Sequence, residues 1–183
     1  KTKSKTRITK NLMPNTNSST IKVQKRDGRL EDLDINKIHF VVEEACEGLT
    51  GVSSSQIEMN ANIQFYDGMT TKDIQNVLVR SANDLISLET PNYQYAAARL
   101  LSYDVRKEAH GQYEYTPLLK LILRNIRSGV YDKSILEKYT KTEIKKFNTW
   151  IKRERDLKFT YAGLRQICDK YLVQDRSSGQ IYE

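Results

Sequence analysis

A mostly helical α+β fold is predicted, in which a small β-hairpin sits on a cluster of four helices over residues 21–110 and further helices follow over 111–183. Three observations predict it. Short segments with alternating apolar residues flank Asp27-Gly28, a pair suited to a tight hairpin turn. Apolar residues then recur at three- and four-residue spacing in several successive runs. Residues that start and stop helices separate those runs.

Residues 1–20 are rich in Lys, Thr, Ser and Asn and poor in large apolar side chains, which reads as a flexible basic extension. Ile21 and Val23 alternate with polar neighbours, and Asp27 and Gly28 both accept positive φ, so two short strands are expected around them. Asp34 is a good N-cap for a helix whose apolar face is Ile35, Ile38, Val41, Val42 and Ala45, ending near Gly48. A second helix starts near Ser53–Ser55 and runs through Ile57 and Ile63 to a break at Asp67-Gly68. Thr70, Thr71 and Asp73 open a third, where a threonine cap and an acidic first turn suit the free N–H groups and the helix dipole. Its buried stripe is expected to be Ile74, Val77, Leu78, Ala82, Leu85 and Ile86. A fourth helix runs from about Asn92 to Ala109, terminated by Gly111. Beyond it, Leu118–Ile126, Lys141–Arg155 and Tyr161–Tyr171 read as helices, and segments flanking residues 175–179 as a final hairpin.

The composition is that of an ordinary globular protein, and no apolar run approaches the ~20 residues needed to cross a bilayer. Cys46 and Cys168 stand far apart and outside any CxxC spacing, which argues against a disulfide framework or a structural zinc site. They read as small buried side chains in a reducing, cytoplasmic setting. The formal net charge of +7 is unevenly spread: residues 23–110 are net acidic, whereas the stretches before and after are basic. The middle is therefore a poor general binder of phosphate backbones, and any polyanion there must be held by a few placed groups. Neither GxGxxG nor GxxxxGK[ST] occurs.

The chemically informative stretch is Val23 to Ile38. A hairpin carries Lys25 and Arg26 to the start of a helix, and near the turn both can approach one phosphate chain. Lys37, one turn into that helix, and Lys107, on the fourth, can add cations. Glu31 or Asp34 can accept from ribose hydroxyls or a base, and Thr71 adds a hydroxyl. Tyr103 lies four residues before Lys107, on the same helix face, where it can stack on a base.

Val23-Gln24-Lys25-Arg26-Asp27-Gly28, with Glu31 and Lys37-Ile38 after it, resembles the opening of the ATP-cone domain in class I ribonucleotide reductase large subunits. The resemblance continues through Ile63-Gln-Phe65-Tyr-Asp-Gly68-Met-Thr-Thr71-x-Asp-Ile74 and Pro91-Asn-Tyr-Gln-Tyr95-Ala-Ala-Ala-Arg99-Leu. Further on, Ser128-Gly-Val-Tyr131-Asp, Arg155-Asp-Leu-Lys-Phe159-Thr-Tyr161 and Lys170-Tyr171-Leu-Val-Gln look like the segment leading into that family's catalytic barrel. It implies a cone over 21–110 and the helical front of the catalytic domain over 111–183. It implies ATP or dATP as an allosteric effector, with Mg²⁺, at Lys25, Arg26, Glu31, Asp34, Lys37, Ile38, Thr71, Ile74, Tyr103 and Lys107. Arg26 and Lys107 would hold phosphates, and Ile38 and Ile74 would pack on base or sugar. Departures exist: Gln75 and Asp104 stand where well-known dATP-inhibitable members carry histidine, and Asp34 where asparagine is common.

The resemblance also implies control of the reduction of ribonucleotides to deoxyribonucleotides for DNA synthesis. The partners it implies are the rest of the large subunit, a small radical-generating subunit, and further copies of the large subunit. The family's catalytic cysteines lie downstream of anything resembling residue 183, so these residues alone are expected to be inactive. The alternative is a degenerate cone that serves packing or assembly without binding nucleotide. A third reading, a nucleic-acid-binding regulator, is weakened because residues 1–20 hold none of the cysteines that a zinc ribbon requires.

Overall fold

A computed structural model describes residues 21–183. The expected basic extension, residues 1–20, lies outside the described residues.

The first elements are strands β1 (Lys22–Gln24) and β2 (Leu30–Asp32), paired antiparallel with Val23 opposite Glu31. The loop between them is not the two-residue turn that the sequence suggests. The Lys25 N–H donates to the Arg29 carbonyl at 2.8 Å, and the Gly28 N–H to the Lys25 carbonyl at 3.0 Å. Of the two central residues only Gly28 has positive φ, 85°. This is a type I turn followed by a glycine bulge, and Asp27 instead binds the Arg29 backbone and guanidinium. A third strand, β3 (Met69–Thr70), was not expected; at two residues it is too short to show periodicity. It pairs parallel to β1, giving the order β2-β1-β3.

Helix α1 (Ile35–Cys46) begins as read: the Asp34 carboxylate accepts from the Asn36 N–H, and Ile38, Val41, Val42 and Ala45 are buried. Ile35 is 51% exposed, because it sits in the first turn, where no neighbouring element covers it. Helix α2 (Ser54–Asn62) is capped by the Ser53 hydroxyl, and Ile63 falls outside the helix and is exposed. Helix α3 (Thr71–Asn83) is capped by Thr70, and its stripe is buried from Ile74 to Ala82. Leu85 and Ile86 lie past its end, and Ile86 is exposed, a correction to the expected stripe. Helix α4 (Tyr93–His110) stops at Gly111, whose φ of 72° suits a left-handed C-cap.

Helix α4 is the axis of the structure. It packs against α1, α3 and α8 (Tyr161–Lys170). The core contains Val42, Ile57, Leu78, Tyr93 and Leu100, each essentially excluded from solvent. Burying each contributes about 1.5–3 kcal/mol. The Tyr93 hydroxyl ties down α2 by accepting from the Ser53 N–H and donating to Gln56. Arg99 donates to the Ala45 and Glu47 carbonyls, satisfying the C-terminal end of α1. Leu164 and Cys168 of α8 join this same core, so one apolar interior runs from Val23 to Cys168.

Helices α5 (Leu118–Arg127) and α7 (Lys141–Asn148) pack together, with the short α6 (Ser134–Lys138) between them in sequence. Asn148 accepts from the Leu118 N–H and so supplies the N-terminal bond that Pro117 cannot. The long helix expected over Lys141–Arg155 is broken. The Thr149 hydroxyl donates back to the Lys146 carbonyl at the end of α7, and the chain resumes as a 3₁₀ helix at Arg153–Lys158. The last segments do meet: Gln174 and Ile181 form an antiparallel bridge, flanked by the Tyr182 N–H donating to the Val173 carbonyl and the Asp175 N–H to the Gln180 carbonyl.

Candidate functional site

The parallel register of β1 and β3 sets Gln24 opposite Thr70. Lys25 and Arg26 therefore emerge beside Thr71, the first residue of α3, where unpaired N–H groups and the helix dipole favour an anion. The antiparallel register returns Glu31 to the same level, and the Asp34 cap starts α1 alongside. From the opposite side α4 supplies Tyr103, Asp104 and Lys107. Spacings of three and four residues keep these on one face.

The result is a cavity of about 340 Å³ between the hairpin, α1, α3 and α4. Lys25, Glu31, Asp34, Lys37, Ile38, Thr71, Ile74, Tyr103 and Lys107 all line it. Arg26 does not. It opens onto an adjoining cleft that shares Lys25 and Thr71 with the cavity and is walled by Lys72, Glu108, Ser178 and Gln180. The sequence reading missed Val41, Leu78 and the exposed Phe40, which extend the apolar wall of Ile38 and Ile74, and Asn36, which adds an amide. Their helical spacing from Ile38 and Ile74 was the signal available for Val41 and Leu78.

Most charges at the site are already paired. Lys25 lies 3.2 Å from Glu31, Lys37 3.4 Å from Asp34, and Lys72 3.2 Å from Glu108. Arg26 donates to Asp104 at 2.8 Å, and the Asp104 side chain is only 12% exposed. Burial raises the Asp104 carboxyl above the ordinary range while Arg26 pulls it back. Lys107 differs: among the described residues no carboxylate lies within ion-pair distance of it. Burial, then Arg26 and Lys25, depress its pKa below the usual lysine value. An anion placed beside a half-buried ammonium that faces other cations is favoured.

Gln75 also lines the cavity, and its amide donates to the Leu100 carbonyl of α4 at 2.9 Å. Tyr103 lines the cavity and packs its other side on Tyr113, with ring centroids 4.7 Å apart. Beyond it, Arg106 sits between the Tyr113 and Tyr115 rings, and Arg153 covers Tyr115. Cys46 and Cys168 take no part in the cavity. Burial raises both thiols, Cys46 to about 11.

The ATP cone domain family matches residues 21–108, the segment that builds this cavity. Residues 21–108 are an ATP cone. The similarity extends beyond the cone. The chain is 47% identical over 161 residues to the ribonucleoside-diphosphate reductase 1 subunit alpha of Escherichia coli, covering 88% of this chain and 21% of that protein. It is 42% identical to the corresponding subunits of Haemophilus influenzae, over 91% of this chain and 22% of that protein, and of phage T4, over 89% and 22%. The chain is thus homologous to the N-terminal region of reductase alpha subunits and spans about a fifth of the length of these relatives.

A larger cavity, of about 720 Å³, lies between the end of α4, α5 and α7, lined by Lys120, Arg124, Arg127 and Lys145 with Leu119 and Leu123. It is outside the cone, and its lining combines four cations with the neutral acceptors Gln112, Thr116 and Asn148 and carries no carboxylate. No helix of the described residues is long and apolar enough to cross a membrane.

Proposed function

We propose that this chain is the N-terminal regulatory portion of a ribonucleotide reductase large subunit, and that its cone binds ATP or dATP to control the reduction of ribonucleotides to deoxyribonucleotides for DNA synthesis. Residues 21–110 are the regulatory unit and 111–183 the helical front of the catalytic domain. The observation that carries this reading is Lys107, a half-buried ammonium without a carboxylate partner among the described residues, at the cationic end of a cavity with apolar walls.

The residues present fit a nucleotide. Ile38 and Ile74 offer apolar surface to a base or sugar, and Glu31 and Asp34 offer acceptors to its hydroxyls. Lys107, Lys25, Lys37 and the start of α3 favour phosphates. Mg²⁺, an ion that commonly needs few protein carboxylates, would accompany the phosphates and neutralise part of their charge. The partners are the remainder of the large subunit, the small radical-generating subunit and further large subunits, in the cytoplasm.

A second reading has one observation behind it. Arg26 is already neutralised by Asp104, as expected of a cone kept for packing or assembly. Calorimetric titration with Mg-ATP and Mg-dATP separates the two. Micromolar binding that Lys107→Ala abolishes is expected; no binding by a folded chain would leave the packing role.

A further inference from the structure

We infer that Asp104 acts as an internal counter-ion that withholds Arg26 from ligand phosphates and so sets how strongly the cone distinguishes nucleotides by their number of phosphates. This rests on the nucleotide reading above.

Arg26 comes from the hairpin and Asp104 from α4, 78 residues apart in sequence, yet they meet at 2.8 Å. Their side chains are 35% and 12% exposed, so the carboxylate cannot turn freely into water. Asp104 stands three residues before Lys107, on the same face of α4. A phosphate that reaches Lys107 therefore comes close to Asp104 as well, and like charges a few ångströms apart near a protein surface repel strongly. The neighbouring cations do not relieve this. Lys25 is held by Glu31 and Lys72 by Glu108.

Among the described residues, the uncommitted charge at this end is that of Lys107. The first phosphate has a partner there, whereas each further phosphate must compete with a carboxylate already in place for Arg26. Affinity should then rise little from a nucleoside monophosphate to the triphosphate. Removing the Asp104 charge frees Arg26 for an added phosphate and removes the repulsion together.

Asp104→Asn tests this, since the amide keeps the shape and an acceptor oxygen for Arg26 but not the charge. Affinities for AMP, ADP and ATP are measured by calorimetry with Mg²⁺, with thermal unfolding run beside them to confirm the fold. In the unaltered chain AMP and ATP are expected within about tenfold of one another. In Asp104→Asn, ATP should tighten about tenfold and AMP less than about threefold, so that the ratio of the two affinities widens. Asp104→Ser serves where the amide perturbs folding, with the same expectation. ATP binding that appears only in the variants would support the inference in its strongest form. A steep rise of affinity with each phosphate in the unaltered chain would overturn it. So would an unchanged AMP-to-ATP ratio in a folded variant, and in both of these cases the nucleotide reading stands. ATP binding in neither the chain nor its variants would overturn both.

Discussion

Replacing Lys107 by methionine should make the chain more stable while removing its nucleotide response. The side chain keeps its length and loses a half-buried ammonium whose pKa is lowered by burial and by the Arg26 and Lys25 charges. Discounted for solvent screening at a group that is only half covered, the relief is about 0.5–1 kcal/mol near neutral pH. The sign follows from linkage. The folded pKa lies below the model value of 10.5, so the folded state carries the full cost at pH 7 and sheds it as pH rises through that lowered value. The advantage of Lys107→Met should therefore shrink as pH rises toward the ordinary lysine value of 10.5. Urea unfolding at pH 7 and at higher pH reads both effects. A ligand at about a hundred times its dissociation constant adds about 2.7 kcal/mol to the unaltered chain and should add nothing to the variant. A variant that is less stable at pH 7 would refute the reasoning, because it would mean that the ammonium has a favourable partner in the folded chain.

Other consequences can be checked separately. Leu164→Ala empties part of the core shared by α8 and α4 and should cost about 2–4 kcal/mol in a single cooperative transition; a separate early transition for the C-terminal helices would contradict the shared core. Gly111→Ala forces a β-carbon into the left-handed C-cap of α4, with no steric obstacle nearby, so the loss should be the conformational one, about 1 kcal/mol by thermal unfolding. Cys46, with its thiol pushed up to about 11, should resist alkylation at pH 8 in the folded chain and react once denaturant is added; equal rates in both states would show the thiol to be accessible.

Features governed by near neighbours in sequence were legible. Asp34, Ser53 and Thr70 cap the helices that their positions suggested, and Gly111 ends α4. The spacing of Ile38, Val41, Val42 and Ala45 marked the buried face of α1. Lys25, Glu31 and Asp34 could be grouped because a hairpin and a helix start fix them together, while spacing offered Tyr103 and Lys107 as a pair on one face of a distant helix and the resemblance to the ATP cone tied that pair to the others. Features that depend on distant pairing were not legible. Asp104 reads in the sequence only as a departure from the cone pattern, and the fold shows it bonded to Arg26. Gln75 gives no sign in the sequence that its amide goes to the Leu100 carbonyl. The break after Asn148 escaped because Thr149 can continue a helix or bond back to it, and tertiary context decides. Strand β3 exists because β1 offers it an edge.

The most direct test of the site is amide hydrogen exchange of the chain with and without saturating Mg-ATP. Slowed exchange is expected at residues 25–38, 71–78 and 103–107, the segments that line the cavity of about 340 Å³. Residues 118–127 and 145–148, around the larger basic cavity, should be unchanged. Protection confined to that second region, or none anywhere at saturating nucleotide, would contradict the placement of the effector in the cone.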